Sequence, residues 1–461
     1  MMVDAEIVQL AGEVDTCPDS KIGEYYDIIV GQLNREPEDH RLRLLFATIA
    51  AKARHFGVAK LTLDSLLRSH GDWGPVRFNL AMVMDSLGNQ EAALRHYQFA
   101  ERDPKSINMA MLHSNRATAL IKLGRYEESI KACDKSLAID CEFKDALITK
   151  GFGLLSLGKL AEGWDHYQQA MGGKHRRHIE YGVPLWKGEP DCRVILHGEQ
   201  GIGDEIMYAS CIPDVIAISS MVAVDCDARL SAILKRSFPN ALVMGSRTAK
   251  PEQKAWVEKF KPTHSISLAS LPVFYRRTPE AFPKSVYLRP KPSYKAMYRK
   301  LFQHETGKEK LIGIGWSGGT ADTKEVEREI PLEAFAKLIE KYPDHGFISL
   351  QYREDAQAQI DASGLPIHHF QFVTGKGASY EHTAAAIAAC DKVVSTDTTA
   401  IHAAGAMGVP THCLLSTPPM WVHAPWQGKS SPWYRDVALH RKPEGKDWLS
   451  YINSLVAQGD L

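Results

Sequence analysis

A glycine-rich segment from Gly198 to Glu205 ends in two carboxylates and separates an apolar run from an amphipathic one. Glycines at such a junction let another molecule approach the backbone closely, because they carry no Cβ. Gly201 and Gly203 are therefore candidate ligand-contacting positions. Asp204 is the candidate catalytic residue, since a carboxylate in a cleft can take the proton of an attacking hydroxyl. Helix capping is the alternative role of Asp204, and spacing alone weights the two roles equally.

A second segment, Ser395–Met407, has hydroxyl side chains where an apolar run ends and small residues where a helix is predicted to begin. Free backbone N–H groups at a helix start, together with such hydroxyls, can hold a diphosphate. His402 is either a phosphate or sugar contact or a packed histidine, and Asp397 is either a ligand contact or a cap. The candidate ligand-binding residues of this segment are Ser395, Asp397, Thr398, Thr399 and His402.

A third segment, Gly313–Gly319, matches the pattern Gly-x-Gly-x-x-Gly. A dinucleotide fingerprint needs a helix directly after this loop, but the polar stretch Thr320–Glu329 intervenes, which argues against NAD. A loop that covers phosphates, with Lys324 and Arg328 as charge partners, is the preferred interpretation. The alternative is that both cations belong to an exposed loop of mixed charge. The candidate residues of the loop itself are Gly315, Trp316, Ser317 and Gly318.

No metal site and no cofactor are predicted. Asp225 and Asp227 could together hold a divalent ion on a diphosphate, but they follow a strand where a loop-and-cap role is favoured. His368 and His369 lack a second group of ligands, so a zinc site is not expected there.

The elements that must position these segments alternate between short apolar strands and helices. Strands are predicted at 192–197, 221–225, 241–244, 265–268, 311–316, 346–351, 392–395 and 411–415, and helices include 332–341, 380–389 and 398–407. This alternation predicts parallel sheets with right-handed crossovers. A Pro- and Tyr-rich linker at 287–298 separates two such halves, and ligands of these sheets bind at the carboxyl ends of the strands.

The front of the chain repeats with a period typical of paired helices. Gly124 and Gly158 are 34 residues apart, and Gly88 precedes Gly124 by 36. Each glycine follows a leucine and is predicted to cap the first helix of its pair. Residues 20–73 are read as degenerate copies with Gly57 as the turn glycine. The pattern resembles the tetratricopeptide repeat, and stacked repeats of this kind offer a surface for a protein partner.

The composition is that of a folded globular protein, with 44% of the 461 residues apolar and 24% charged. Lys plus Arg and Asp plus Glu are equal at 55 each, which argues against nucleic-acid binding, since that leaves a basic excess. No run approaches ~20 apolar residues, so no membrane span is predicted. The acidic N-terminus does not look like a secretory signal, and scattered cysteines predict a reduced, cytoplasmic setting.

Nearly the whole chain resembles bacterial proteins that fuse tetratricopeptide repeats to a domain like the ADP-heptose:lipopolysaccharide heptosyltransferases. The segments that carry this resemblance are Gly163-Trp164 with Tyr167, Pro184–Gly188, His197–Asp204 and Ser395–Gly405, and the spacing of Ile312–Gly318, Ser349–Gln351 and Ser431–Tyr434 also fits. The resemblance implies a fold with all-α repeats followed by an α/β glycosyltransferase of the GT-B type, built from two Rossmann-like domains. It also implies an inverting, metal-independent reaction.

The resemblance assigns the roles residue by residue. The catalytic aspartate would be Asp204, the donor-diphosphate loop Asp397–His402 and the nucleotide-side loop Gly315–Gly318, with Gln351 on the donor side. The donor substrate would be a nucleotide-diphosphate sugar, and the acceptor a glycan or protein hydroxyl. The alternative is a catalytically degenerate protein that binds a nucleotide and uses its repeats to recruit a partner.

This sequence departs from the family pattern in three places. Residues 320–328 are unusually acidic for a phosphate neighbour, and Glu205 replaces a small or apolar residue. Met420–Trp426 differs from the usual aromatic-arginine run, which leaves the identity of the donor open.

Three domains are expected. They are a repeat domain at 1–172, an acceptor-side half at 173–290 and a donor-side half at 291–461, whose final helix at 447–457 packs back onto the first half. Because exposed repeats often self-associate, a homo-oligomer is a further expectation.

Overall fold

The computed structural model describes residues 4–176, 179–247, 250–319, 328–374, 379–425 and 428–461. The chain divides into two compact units, the first ending at Leu154 and the second spanning Leu155–Leu461. Among the described helices, none combines the length and the apolar character that crossing a membrane requires.

The first unit is built from helices that pack against their neighbours in sequence. The helices are α1 Asp4–Thr16, α2 Ile22–Leu33, α3 His40–Lys52, α4 Phe56–His70, α5 Gly74–Ser86, α6 Gln90–Ala100, α7 Met109–Lys122, α8 Tyr126–Ile139 and α9 Lys144–Ser156, within which the unit ends. Helices α3 and α4, α5 and α6, and α7 and α8 form the packed pairs. The helical repeat predicted from the glycine spacing is thereby confirmed.

Glycines end the first helix of each predicted repeat in the left-handed conformation. Gly88, Gly124 and Gly158 follow α5, α7 and α9 with φ of 80°, 72° and 76°, angles that a residue with a Cβ adopts at a cost. The prediction for Gly57 was wrong, because that residue lies inside α4. The turn before α4 instead uses Arg54, whose φ is 63°.

Small residues bring α7 and α8 into close contact, as the repeat pattern predicts. The buried Ser129 hydroxyl donates to the Ala117 carbonyl oxygen at 2.9 Å, and the Ser136 hydroxyl donates to the Ala110 carbonyl oxygen at 2.7 Å. Each serine satisfies its hydroxyl inside the helix interface, so the polar group is buried without penalty.

The second unit starts with the end of α9, the helix α10 Leu160–Gln169, and a first sheet whose described strands are all parallel. The strands are β1 Arg193–His197, β2 Met221–Asp225, β3 Ala241–Met244 and β4 His264–Ser267, in the order β3-β2-β1-β4. The helices are α11 Ile202–Tyr208, α12 Ile212–Ile218, α13 Ser231–Ser237, α14 Lys250–Phe260 and α15 Pro272–Tyr275.

A second parallel sheet completes this unit. Its described strands are β5 Lys310–Gly315, β6 His345–Ser349, β7 Ile367–His368, β8 Lys392–Thr396, β9 Thr411–Leu415 and β10 Val437–Arg441, in the order β10-β9-β8-β5-β6-β7. Its helices are α16 Pro292–Thr306, α17 Ala336–Lys341, α18 Ala356–Ser363, α19 Gln371–Thr374, α20 Tyr380–Ala389, α21 Thr399–Met407 and α22 Trp448–Gln458. The two α/β halves predicted from the strand–helix alternation are confirmed.

Two sequence predictions about this unit need correction. The linker predicted at 287–298 is extended only in its first part, because α16 begins at Pro292 and buries Tyr298. The final helix, α22, makes its main contacts within the second half, with α17 and the turn Leu332–Phe335, and not with the first half as predicted. Its Trp448 and Ile452 join Ile314 in the core of the second sheet, because the apolar face of α22 completes the cover of that sheet.

Candidate functional site

The predicted ligand loops lie where the strand order of each sheet changes direction. In the first sheet β1 lies between β2 and β4, and the segment after it is the glycine loop, residues 198–203. In the second sheet β5 and β8 are neighbours. The later strands β9 and β10 follow on the side of β8, and β6 and β7 follow on the side of β5. Gly315 and Ser395 are register partners at the carboxyl ends of these two strands. Such switch points are the usual ligand sites of open parallel sheets.

Glycines from two loops pack against the start of α21. A Cβ at position 203 would lie 3.3 Å from both the His402 ring and the Thr399 hydroxyl. A Cβ at Gly318 would overlap the Thr398 methyl group. The structure therefore brings the first two predicted segments together, with the glycine loop of the first half against the helix start of the second half.

Asp204 makes the capping contact, and its raised pKa is compatible with the other predicted role, that of a base. Its carboxylate accepts from the Gly201 amide at 3.1 Å, a capping contact at the start of α11. Burial raises the pKa of Asp204 to about 6; the nearby Asp397 adds to this rise, while the Gly201 amide and Arg328 oppose it. A carboxyl group poised near neutrality can exchange a proton at working pH, so capping does not exclude a role as base.

Asp397 lies at the end of β8 with its carboxylate turned toward a loop that follows β9. Its Oδ1 accepts from His423 Nε2 at 3.3 Å and lies 3.9 Å from His402 Nε2. Burial alone would raise the pKa of Asp397, but His423, Arg328 and His402 hold it well below its usual range. The Arg328 guanidinium also donates to the Asp397 carbonyl at 3.2 Å. Asp397 is thus a buried anion that fixes the strand–helix junction.

His402 is neutral at physiological pH. Burial lowers its pKa to about 4, and His423 and Arg328 add to this effect against the opposing charge of Asp397. Its Nδ1 is hydrogen-bonded to the Tyr434 hydroxyl at 2.9 Å, which orients the ring.

The hydroxyl-bearing residues of the junction support one another at the helix start. The Thr398 hydroxyl accepts from the Ala400 amide at 3.3 Å and caps α21. The Ser395 hydroxyl donates to the Thr396 carbonyl at 2.9 Å. Thr399 begins the helix and is only half-buried. A helix start with capped geometry and neighbouring hydroxyls is an arrangement that binds phosphate oxygens.

The residues predicted in the third segment, and Gln351 beside them, separate into those that face the junction and those that hold the loop in shape. Gly315 and Gly318 face the junction, since a Cβ at 315 would overlap the Ser395 hydroxyl. Gln351 is buried and donates from Nε2 to Ser317, at 2.9 Å to its carbonyl and 2.7 Å to its hydroxyl. Gln351 and Ser317 therefore hold the loop in shape rather than face the cleft.

Trp316 requires a correction. Its indole is buried in the core of the second sheet and donates from Nε1 to Gln359 at 2.6 Å. Consecutive residues of a strand point to opposite faces, so Gly315 faces the junction while Trp316 faces the core. Lys324 lies outside the described residues, whereas Arg328 reaches the site.

A buried charge cluster beneath the glycine loop was missed from the sequence. Glu205 pairs with Arg247, Nη1 to Oε1 at 2.5 Å, and accepts from the Asp227 amide at 2.9 Å. Arg247 also donates to the Gln200 carbonyl at 2.7 Å. Burial raises the pKa of Glu205 to about 7, with Arg247 opposing the rise. The unusual Glu205 is thus the inner anchor of the loop, a role that only its distant partner Arg247 makes visible.

The position of the Glu205 side chain requires a glycine at 198. The effects of substitutions at these two positions should therefore depend on each other. A Cβ at position 198 would overlap the Glu205 carboxylate, and overpacking of this kind costs about 1–3 kcal/mol. Gly198→Ala is therefore expected to lower the free energy of unfolding by that amount, measured by urea denaturation. In a Glu205→Ala background the clash is gone, so the same substitution should cost almost nothing.

Gly201→Ala serves as the matched control, because the nearest group to a Cβ at 201 is a movable Asp204 oxygen at 3.3 Å. Its cost should be small and unaffected by Glu205→Ala. If the effects of Gly198→Ala and Glu205→Ala on the free energy of unfolding were additive, the contact between positions 198 and 205 would not determine the conformation of the loop.

Asp225 and Asp227 act as the loop-and-cap residues that the sequence favoured. Asp225 is buried and accepts from the Tyr181 hydroxyl at 2.8 Å and from the Ser246 amide at 2.9 Å. Asp227 pairs with Arg229, and this hydrogen bond is the main cause that lowers the Asp227 pKa to about 2. These carboxylates are occupied by protein donors.

Among the described residues, one trio has the geometry to hold a metal ion. Asp397, Cys413 and His423 are buried and offer ligand atoms within 4.8 Å of one another. Burial raises the pKa of the Cys413 thiol well above its usual value, whereas metals bind the thiolate. Asp397 and His423 are hydrogen-bonded to each other, so these two residues are well described as a buried hydrogen-bonded pair.

Comparison with known proteins gives the following similarities. No protein-family profile matches the chain. The chain is 25% identical over 383 residues to "Protein FlbA" of Caulobacter vibrioides, covering 78% of this chain and 62% of that protein. It is similar to a crystal structure of a glycosyl transferase family 9 protein from Veillonella parvula, with TM-score 0.43, 10% identity and coverage of 60% and 98%. A thermophilic TPR protein of Thermus thermophilus matches with TM-score 0.33, 17% identity and coverage of 37% and 92%.

Proposed function

We propose that this protein is a glycosyltransferase that moves a sugar from a nucleotide-diphosphate donor to a hydroxyl of a glycan or protein. The observation that carries the proposal is the meeting of two loops at the switch points of the two sheets. A carboxylate with a pKa of about 6, Asp204, follows one loop. The other presents a helix start at Thr399, and Gly203 of the first loop packs on it.

In this proposal the start of α21 holds the donor diphosphate. Its amides and the hydroxyls of Thr398 and Thr399 supply hydrogen bonds, and the positive end of the helix dipole favours the negative charge. Arg328, held on the Asp397 carbonyl, adds a cation at the same place. Charge that develops on the leaving diphosphate is thereby met by groups already in position.

The transfer itself is a single displacement. The acceptor oxygen forms a bond to the anomeric carbon while the bond to the diphosphate breaks, and the proton of the hydroxyl passes to Asp204. The configuration at the anomeric carbon inverts. No step needs a metal ion, because the helix start and Arg328 supply the positive field, so a chelator should leave turnover unchanged.

The pH dependence of turnover follows from the state of Asp204. As a base it must be ionised, so kcat should rise with pH and level off above a midpoint of about 6. Burial is the main cause that raises the Asp204 pKa; the Gly201 amide and Arg328 lower it, and Asp397 raises it further. The hydroxyls of Tyr167 and Tyr208 also lie nearby. Arg328→Gln should therefore move the midpoint to higher pH.

The measurement is a pH–rate profile of kcat for the wild type and for Arg328→Gln. Lys337→Gln, which removes an exposed lysine paired with Glu340 on α17, is the control for losing one positive charge and should leave the midpoint in place. A midpoint that Arg328→Gln leaves unchanged or lowers would contradict the proposed electrostatics.

Calorimetry with a panel of sugar nucleotides, followed by turnover assays with the donors that bind, tests the function itself. Binding and transfer are expected for at least one donor. Tight binding without hydrolysis or transfer to any acceptor would favour the second candidate, a nucleotide-binding scaffold. The scaffold candidate is supported by the close contact of Gly203 with Thr399 and His402, because this contact narrows the space between the two loops.

A further inference from the structure

The helix α10, predicted as the last repeat helix, is bonded to the glycine loop of the first sheet. Tyr167 of α10 is buried, and its hydroxyl accepts from the Gln200 side-chain amide at 2.8 Å. Gln200 immediately precedes Gly201, whose amide donates to Asp204. One side-chain hydrogen bond therefore separates α10 from the loop that carries the capping contact of Asp204.

Arg176, which follows α10, binds the same loop through Glu199, the residue before Gln200. Its side chain is fully buried, and Nε donates to the Glu199 carboxylate at 2.6 Å. The guanidinium also donates to the Tyr167 carbonyl at 2.7 Å and to the Ser270 hydroxyl at 2.9 Å, and it stacks over the Tyr167 ring at 3.9 Å. A buried ion pair adds little net stability compared with apolar packing, so its value here is the geometry it imposes.

Helix α10 also contacts the loop that supports the predicted ligand segment Ser395–Met407. Trp164 and Tyr167 of α10 lie against Trp421, with ring centroids 5.6 Å and 6.1 Å apart. Trp421 precedes by two residues His423, which holds the Asp397 carboxylate. Helix α10 thus touches the supports of both loops, and it is fixed to the first half by the Trp164 indole, which donates to the Arg276 carbonyl at 2.9 Å.

We propose that Tyr167 and Arg176 are positioning residues that hold the glycine loop so that Asp204 faces the start of α21. The inference rests on the proposed function and gives a role to the aromatic residues of α10. Without the Tyr167 hydroxyl, the Gln200 side chain loses its partner and the loop can shift. A displacement of about 1 Å in a reacting group can cost about 100-fold in rate.

The test compares the wild type with Tyr167→Phe, Gln200→Leu and the double variant. Tyr167→Phe keeps the ring stacked on Arg176 and removes only the hydroxyl. We expect kcat to fall about tenfold or more while the KM for the donor stays unchanged, because the diphosphate binds at α21. The double variant should fall no further than Tyr167→Phe alone, since that substitution already removes the hydrogen bond to Gln200.

Amide hydrogen exchange over residues 198–204 gives a readout that does not depend on activity. Exchange there should accelerate in Tyr167→Phe and stay unchanged in Tyr181→Phe, which removes another buried tyrosine hydroxyl bonded within the same half. Arg176→Lys is the second variant if Tyr167→Phe fails to fold, and it should also accelerate exchange in this peptide.

The outcomes separate the two proposals. A wild type without turnover on any donor removes the proposed function, and the exchange data then decide the positioning of the loop. A wild type that turns over, with unchanged kcat and exchange in Tyr167→Phe, overturns the positioning role. Equal losses of kcat in Tyr167→Phe and Tyr181→Phe would show a general structural effect and would also overturn it.

Discussion

Replacing Asp204 with asparagine is expected to lower kcat for sugar transfer by about 10²–10⁴-fold, the range that general-base catalysis contributes. Asparagine has the same shape and keeps an oxygen that accepts from the Gly201 amide, so the start of α11 stays capped. It cannot take a proton from the acceptor hydroxyl. The substitution therefore distinguishes the role of Asp204 as a base from its role as a helix cap. Residue spacing in the sequence could not distinguish these roles.

Asp204→Asn is expected to keep or raise the thermal stability of the protein although it lowers kcat. Because the pKa of Asp204 is raised to about 6 in the folded protein, the folded state binds the proton more tightly than the unfolded state. Stability is then lost as pH rises from the unfolded pKa through 6. Asp204→Asn removes this loss, so its melting temperature at pH 7 should be at or above that of the wild type.

The control is Asp447→Asn, which alters the aspartate that caps α22 through the Ser450 amide at 2.8 Å, away from the site. It should leave kcat unchanged and lower the melting temperature slightly. If Asp204→Asn behaved like this control, with intact turnover and reduced stability, Asp204 would be a cap only.

The parts of the fold that sequence reasoning predicted are those governed by local chemistry. The glycines at 88, 124 and 158 were recognised because only glycine adopts a positive φ without strain. Strands 221–225 and 411–415 were predicted with their observed limits because short apolar runs between turn residues have few alternatives. Ser395–Met407 was selected because hydroxyls followed by small residues describe a strand-to-helix junction within a single stretch of chain.

What the sequence did not predict depends on residues far apart in the chain. The partner of Asp397 is His423, 26 residues later, and that of His402 is Tyr434, 32 residues later. Neither distance follows from a helical or strand period. Glu205 was noticed only as a departure, because its partner Arg247 lies in the loop after another strand. Such pairs are fixed by the order of strands in the sheet, which spacing along the chain does not reveal.

Asp397→Asn is expected to weaken donor binding by at least about tenfold and to lower the free energy of unfolding by about 2 kcal/mol, the usual cost of impairing a buried hydrogen bond to a charged group. The Asp397 carboxylate holds His423, while its own carbonyl accepts from Arg328 at the proposed diphosphate site. Loss of the carboxylate charge removes the partner of a buried histidine and lets the junction before α21 relax.

The pH dependence of this loss has a defined sign. The folded-state pKa of Asp397 is held below its usual value of 3.8, so its contribution to stability is present above about pH 4 and is lost as pH falls. Urea denaturation of the wild type and Asp397→Asn should thus show a difference at pH 7 that shrinks toward acid pH. A difference that grows at low pH would contradict the assignment of a buried anion.

Asp391→Asn distinguishes a general effect of losing a carboxylate from a local effect at the donor site. Asp391 lies at the opposite end of β8, where it accepts from the Leu311 amide at 2.8 Å and pairs with Arg299 at 2.7 Å. Because that end of the sheet lies away from the switch point, Asp391→Asn should cost stability without changing donor affinity by calorimetry. Equal losses of affinity in both variants would mean that the second sheet responds as a whole. A selective loss in Asp397→Asn would instead tie the donor to the junction at the start of α21, where the Asp397 carboxylate holds His423 and the Asp397 carbonyl accepts from Arg328.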